Sequence, residues 1–355
     1  MYIIFMAKKA LIIGVSSQDG SFLADLLLTK NYEVIGTLRR STNYIHENIK
    51  HLYGKINIEF ADLLDFESIA RLIRKHKPDE VYNLAAQSVP ADSWNMPFYT
   101  AEISGIGPVR VLEAVRQFNP ESKVYQATTR EIFGNIEAES ANEDTKIDAN
   151  NPYGIAKSYA HMMTRCYRES YNMFACGGIL FNHESERRGL WFVSRKVTAG
   201  VACIKNKVKN SPMNELGEPL ITQDLKLLMG DLTTKRDWGY AKEYVEAMYL
   251  MLQHKTPMDY VIGTNTTHTI EDLCRIAFEH VGLDYKQYVV SNKNFFRPTE
   301  IKPLKGDYTR AKRELGWSPQ FSFEDMLVDY KKEMESERFQ YLIQKRQQMF
   351  NNNRV

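Results

Sequence analysis

Apolar residues gather in short runs along the first half of the chain, and each run ends in polar or glycine-rich residues. Lys9 to Gly14 reads Lys-Ala-Leu-Ile-Ile-Gly, the near-continuous apolar pattern of a strand buried on both faces. Glu33 to Leu38, Ile56 to Phe60, Glu80 to Leu84 and Lys123 to Gln126 repeat it. Helix-like segments such as Phe22 to Leu28 lie between them. Strands alternating with helices predict an α/β chain built on a parallel, doubly wound sheet. Ligands of such sheets bind at the carboxyl ends of the strands. The polar groups fall at those ends: Gly14 and Gly20 after the first strand, Arg39-Arg40-Ser41 after the second, Asp62-Leu63 after the third. Ala85-Ala86-Gln87-Ser88 follows the fourth, and Thr129 and Glu131 follow the fifth. Core packing alone does not account for that placement.

The first strand runs into Gly14-Val15-Ser16-Ser17-Gln18-Asp19-Gly20 before a helix. Strand, glycine turn and helix form the context of a dinucleotide-binding fingerprint. The spacing fits a Gly-x-x-Gly-x-x-Gly loop whose middle glycine is Ser17. A β-carbon there crowds a pyrophosphate, although the Ser17 N–H remains available. The second strand ends in two arginines and a serine, with no acid. An acid at this place binds a ribose 2′-hydroxyl, whereas arginine accommodates a 2′-phosphate, so Arg39 and Arg40 argue for NADP over NAD.

Candidate chemistry concentrates between Ala127 and Lys157. Tyr153 precedes Lys157 by four residues, which places both on one face of a helix. A nearby ammonium favours an ionised phenol, so Tyr153 is a candidate base. Thr129 and Glu131, one element earlier, add a hydroxyl and a carboxylate. This set suits removal of a hydroxyl proton as a hydride leaves, then proton chemistry at the neighbouring carbon. Arg130 lies between Thr129 and Glu131. Alternation along an extended segment would aim it away from the substrate; aimed inward, it would pair with Glu131 and lower its basicity.

With these residues in view, the chain resembles the extended short-chain dehydrogenase/reductase family, and within it the GDP-mannose 4,6-dehydratase branch. The matching stretches include Gly14–Ser21, Arg39-Arg40-Ser41, Asn83–Ser88, Tyr125–Gly134 and Tyr167–Tyr171. Asn182-His183-Glu184-Ser185, Lys235–Gly239, Phe296-Arg297-Pro298-Thr299-Glu300 and Leu315-Gly316-Trp317 follow in order. The resemblance implies a Rossmann-type sheet with a smaller C-terminal α/β lobe. The dinucleotide domain would comprise 1–182 plus about 228–262, the nucleotide-sugar lobe about 183–227 plus 263–338, and a polar tail about 340–355. It implies a redox-neutral elimination on a GDP-hexose, GDP-mannose or a close relative. Tyr153 would take the 4-hydroxyl proton as hydride passes from C4 to NADP, Lys157 would lower the Tyr153 pKa, and Thr129 would hydrogen-bond the 4-oxygen. Glu131 would remove the C5 proton and help water leave from C6. The cofactor would be held by Gly14, Ser17, Gln18, Asp19, Gly20, Arg39, Arg40, Asp62, Leu63, Leu84, Ala86, Tyr153, Lys157, His183 and Arg188. Ser88, Asn182, Lys196, Arg236, Arg297 and Glu300 would hold the sugar nucleotide. The family commonly forms dimers or tetramers, and in this branch the Arg39-Arg40-Ser41 loop contacts a neighbouring subunit, so a homodimer or homotetramer is expected.

Several residues depart from that branch. Ser17 stands for the middle glycine, Arg130 for a small serine and Glu186 for a proline, and the polar segment from Lys207 to Asp224 is longer than usual. Such a segment is a lid or a surface insertion. The departures leave open a GDP-heptose or GDP-N-acetylhexosamine 4,6-dehydratase, or a GDP-sugar 4-dehydrogenase or epimerase.

Bulk properties add exclusions. The 355-residue chain is long enough for a large core. Its formal net charge of +2 gives no nucleic-acid footprint. Cys166, Cys176, Cys203 and Cys274 show neither disulfide nor metal spacing and read as buried thiols of a reducing cytoplasm. Arg187 stands where a zinc helix beginning at His183-Glu184 would need its second histidine, so no metal is expected. The apolar Met1–Met6 is too short for a signal peptide, and no run is long enough to span a membrane. Trp191 reads as a core residue, with stacking on a base as the alternative.

Overall fold

The structure, a computed structural model, describes residues 7–41, 46–208, 211–214, 216–296 and 302–327. A seven-stranded sheet organises the chain. Its strands are β1 (Lys9–Ile13), β2 (Glu33–Leu38), β3 (Asn57–Phe60), β4 (Glu80–Asn83), β5 (Lys123–Ala127), β6 (Ala175–Leu180) and β7 (Tyr260–Ile262). They lie in the order β7-β6-β5-β4-β1-β2-β3, and every neighbouring pair is parallel. The helices of ten or more residues among those described are α1 (Gln18–Thr29), α2 (Phe66–His76), α3 (Gly107–Phe118), α4 (Pro152–Tyr171), α5 (Val193–Lys205), α6 (Ala241–Gln253) and α7 (Ile270–Glu279). This is the expected doubly wound α/β architecture.

The pattern of β1 shows how the two faces are covered. Side chains alternate across a strand. Ala10 and Ile12 enter the core shared with α1 and α6, while Leu11 and Ile13 enter the core shared with α2, α3 and α4. Both faces are therefore dry, which is why these strands read as apolar runs rather than alternating ones. Two strands were not legible in the sequence. β6 contains Gly177 and Gly178, which weaken a strand pattern. A β-carbon on Gly178 would meet the Tyr125 hydroxyl of the next strand at 2.3 Å, so the close approach of that ring requires glycine. β7 has only three residues.

A separate core gathers around α5 and α7. Val197, Cys203, Leu273 and Phe278 pack there with Trp238 and Phe323, whose rings stack at 5.5 Å. The polar segment beginning at Lys207 docks onto this core. Leu220 and Ile221 are buried in it, and Met213 pairs with Pro219. Burial of those two side chains makes it a packed extension of the second core.

Two expectations are corrected. Cys166 lies exposed on α4, whereas the other three cysteines are buried. Trp191 is half exposed rather than a core residue. Among the described residues no helix is long and apolar enough to cross a membrane, and no group of metal-ligating residues occurs. Met1–Met6 and the tail from Gln340 lie outside the described residues.

Candidate active site

The loop after β1 is shaped by glycine. Gly14 has φ +91°, and a β-carbon there would come within 3.0 Å of the Ala85 backbone nitrogen. A β-carbon on Gly20 would stand 2.4 Å from the Gly14 carbonyl oxygen. Ser17, between them, adopts an extended conformation (φ −68°, ψ 169°) open to any residue. Its hydroxyl donates to the Gly14 carbonyl at 2.8 Å and accepts from the Gly20 N–H at 3.0 Å, capping α1. Its own N–H is bonded to the Gly14 carbonyl at 3.1 Å, so that donor is taken up within the turn and not left available as the sequence suggested. Serine thus replaces glycine by closing the loop on itself.

Asp19, in the first turn of α1, faces His183 across the mouth of this loop. Asp19 Oδ2 and His183 Nε2 are 2.9 Å apart, and His183 Nδ1 lies 2.8 Å from the Phe181 carbonyl. Burial pushes the Asp19 carboxyl up, but His183 outweighs it and holds the carboxyl below its ordinary value. Burial likewise pushes the His183 imidazole down, and Asp19 holds it above its ordinary value. The Tyr244 ring stacks on the imidazole at 4.6 Å, and Gln18 donates to the His183 carbonyl at 3.1 Å.

β5 ends in a tight turn that carries two candidate groups. Thr129 caps it and accepts from the Glu131 N–H at 3.3 Å. Asn151 caps α4 by accepting from the Gly154 N–H at 2.8 Å, and Pro152 occupies the first helical position. Tyr153 and Lys157 follow one turn apart on the buried face of α4. The Lys157 ammonium donates to the Ala127 carbonyl at 3.0 Å and stands 5.9 Å from the Tyr153 ring centroid. Burial pushes Lys157 down to about 8, against the pull of Asp19. Burial pushes the Tyr153 phenol above its ordinary value and the Glu131 carboxylate adds to this, while a hydrogen bond with Thr129 and the Arg188 guanidinium oppose it. The sequence pairing of Tyr153 with Lys157 suggested a phenol tuned downward; in the fold, burial wins.

Arg130 turns inward. It is buried, borders the same cleft and places Nη1 3.9 Å from Glu131 Oε1. A helical turn replaces the extended segment on which outward alternation depended.

These groups border one cleft of about 160 Å³. It brings together Asp19, Leu84, Ala86, Ser88, Thr129, Glu131, Tyr153 and Lys157 from the sheet side. Asn182, His183, Arg188 and Arg236 come from the segments beyond β6. Arg188 pairs with Glu184 at 3.3 Å and lies 3.7 Å over the Phe192 ring. Arg236 donates to the Lys235 carbonyl at 2.8 Å. Lys196 is buried at the start of α5, 3.7 Å over the Phe295 ring. The described residues of the Lys207–Asp224 segment stay out of this cleft. Glu186 stands away from it too, 3.7 Å from Lys242.

A second pocket of about 260 Å³ opens at the ends of β2 and β3, lined by Leu38, Arg39, Ser41, His46, Tyr53, Ile58 and Phe60. Arg39 donates to the Tyr99 hydroxyl at 2.8 Å, and the Arg40 guanidinium lies 4.8 Å over Phe60. Beyond β3, Leu63 is buried and Asp62 accepts from the Leu64 N–H at 3.0 Å. A glycine cradle at the α1 N-terminus, a cleft on one side and a pocket with arginine on the other fit an elongated dinucleotide. Arg297 and Glu300 lie outside the described residues.

Sequence reasoning missed Asn151 and Phe192. Asn151 carried a signal, since asparagine before Pro-Tyr-Gly is a helix cap, but its second contact, Nδ2 to Glu131 Oε2 at 3.0 Å, is visible only in three dimensions. Phe192 carries no sequence signal for a place under a guanidinium.

A family described as GDP-mannose 4,6 dehydratase matches residues 11–330. GDP-mannose 4,6 dehydratase 2 of Arabidopsis thaliana is 44% identical over 337 residues, covering 91% of this chain and 86% of that protein. The Homo sapiens GDP-mannose 4,6 dehydratase is 38% identical, covering 90% and 89%. Among solved structures, UDP-glucose 4-epimerase of Thermotoga maritima with UDP-glucose superposes with a TM-score of 0.77 at 23% identity, over 92% of this chain and 100% of that one. RMD from Pseudomonas aeruginosa complexed with NADPH gives 0.75 at 18% identity, over 93% and 99%. At these identities the structures show the fold.

The Ser17 cap gives a stability prediction. Ser17→Ala removes the acceptor for the Gly20 N–H and should destabilise the fold by about 1 kcal/mol, whereas Ser17→Gly should cost only a few tenths. Denaturant unfolding of both variants reads the difference, and equal stabilities would show that the hydroxyl contributes no cap.

Proposed function

The chain belongs to the GDP-mannose 4,6-dehydratase family, and from that membership we propose that it converts GDP-mannose to the GDP-4-keto-6-deoxy sugar. The observation that carries the reading is one buried cleft in which Thr129, Glu131, Tyr153 and Lys157 converge at the carboxyl end of β5. Tyr153 accepts the proton of the sugar 4-hydroxyl, with the Thr129 hydrogen bond and the Arg188 guanidinium opposing the burial that raises the phenol, and Lys157 one helical turn away. The Thr129 hydroxyl, already in contact with Tyr153, bonds the 4-oxygen as it becomes a carbonyl. The ketone acidifies the C5 hydrogen. Glu131 accepts that proton and delivers it to the C6 oxygen, which leaves as water. A nicotinamide cofactor, which the Gly14–Gly20 loop, Asp19 and Lys157 would hold, would supply reversible hydride chemistry, so the cycle would be redox-neutral. Arg236 and Asn182 border the cleft, and Lys196 stands buried at the start of α5 beyond it. These positions suit the nucleotide diphosphate.

We assign the cofactor as NADP. Arg39 and Ser41 line the pocket at the end of β2, where a 2′-phosphate would lie. The four free cysteines support a reducing, cytoplasmic setting. A homo-oligomer is supported by exposed apolar side chains: Ile155, Tyr159 and Met162 are exposed on α4 at helical spacing, and Phe98 is 87% exposed.

The reading is tested by product mass after incubation with GDP-mannose and, in parallel, GDP-heptose. Loss of one water from GDP-mannose is expected. Loss of two hydrogens instead would mark a 4-dehydrogenase. Tyr153→Phe should abolish turnover while retaining the cofactor. Glu131→Gln should block water loss yet permit C4 oxidation; normal dehydration in that variant would move the C5 base elsewhere. Replacing Arg39 and Arg40 together by Ala should weaken NADP binding about tenfold or more relative to NAD, the scale of one lost charge-assisted hydrogen bond. Equal effects on both cofactors, read by calorimetry, would remove the 2′-phosphate assignment. Light scattering should give a dimer or tetramer, and Phe98→Asp should shift it toward monomer if that surface is the contact.

A further inference from the structure

Asn151 holds two groups at once. Its Oδ1 accepts from the Gly154 N–H at 2.8 Å and so starts the helix that carries Tyr153 and Lys157. Its Nδ2 donates to Glu131 Oε2 at 3.0 Å. The side chain is buried, as is Glu131. An amide manages both contacts because it carries an acceptor and a donor on one planar group. The other carboxylate oxygen, Oε1, faces Arg130 Nη1 at 3.9 Å, too long for a hydrogen bond. The two oxygens of Glu131 are therefore unlike: one is engaged by a neutral donor, and the other faces a cation at longer range.

We propose that Asn151 is a positioning residue for the elimination step, fixing the Glu131 carboxylate so that Oε1 is the atom that exchanges protons with the sugar. The inference rests on the dehydratase reading above. The terminal torsion of a glutamate is broad and roughly two-fold, so an unheld carboxylate samples many orientations. Proton abstraction from carbon needs one lone pair aimed at C5, and the same oxygen must then reach the C6 oxygen. In that step the C5–H bond breaks, its proton going to Oε1 and its electron pair to the C4 oxygen as an enolate. The pair then returns to form the C5–C6 double bond as the C6–O bond breaks, and the proton leaves with that oxygen as water. Small errors in such geometry cost rate steeply, up to about a hundredfold for 1 Å. The tie also sets Glu131 against the start of α4, so oxidation by Tyr153 and elimination by Glu131 share one frame.

Asn151→Ser separates the two contacts, because serine is as good a helix cap but its short hydroxyl, once engaged with the Gly154 N–H, leaves no amide for Glu131. Asn151→Asp also keeps the cap acceptor but sets a like charge beside Glu131. The wild-type protein is assayed first with GDP-mannose; absence of water loss there would overturn the dehydratase reading itself, irrespective of Asn151. Given wild-type dehydration, Asn151→Ser should unfold at the wild-type midpoint and keep KM for GDP-mannose. Its kcat should fall about tenfold, the scale of one hydrogen bond to a charged group. Quenched samples should accumulate the 4-keto sugar that still holds its C6 oxygen. Asn151→Asp should lose more. Wild-type kcat in Asn151→Ser would overturn the proposal. So would equal loss of C4 oxidation and of water in both variants, since that would mark a general disturbance of α4 and not a loss of aim at Glu131.

Discussion

The sheet reverses its direction of growth between β1 and β4. Strands β2 and β3 are added on one side of β1, and β4 to β7 on the other. Because every connection is a crossover between parallel strands, the loops leaving β1 and β4 depart to opposite sides and leave a crevice between them. The polar ends of the strands meet in that crevice. Gly14 borders it, where a β-carbon would come within 3.0 Å of the Ala85 backbone nitrogen. A chain that added its strands in sequence order would bury the same apolar residues and have no such opening.

Charge inside this crevice is arranged in pairs. Asp19 faces His183, Glu131 faces Arg130, and Arg188 faces Glu184. Burying any one of these ions without its partner would cost several kcal/mol. Lys157 is the contrast. Its ammonium donates to the Ala127 backbone carbonyl, and burial brings its titration toward the range where enzymes work. The pairs therefore serve as a fixed electrostatic background, and the group with an adjustable proton sits beside Tyr153, where the proposed first proton transfer takes place.

Residues expected to depart from the family pattern are absorbed locally. Ser17 needs no positive φ and supplies a cap with the hydroxyl that glycine lacks. Glu186 finds Lys242. The longer segment after α5 buries Leu220 and Ile221 in the second core. Arg130 differs from these, because it turns toward the Glu131 carboxylate and changes what that group faces.

Five strands of the sheet, the glycine turn and the candidate group Thr129, Glu131, Tyr153 and Lys157, which meets in one cleft, were legible in the sequence. Apolar runs, glycine spacing and the interval from Tyr153 to Lys157 are local patterns, and local patterns survive without knowledge of the fold. β6 and β7 escaped because their strand character comes from the Tyr125 ring packed on Gly178 and from an edge only three residues long, not from propensity. Tertiary structure alone decided three further matters. It turned Arg130 inward, because the segment after β5 coils instead of extending. It raised the Tyr153 phenol, because burial, with the Glu131 carboxylate beside it, outweighs the Thr129 hydrogen bond and the Arg188 guanidinium. It tied Asn151 to Glu131, residues twenty positions apart. Each of these depends on which surfaces the fold removes from water, and no spacing along the chain encodes that.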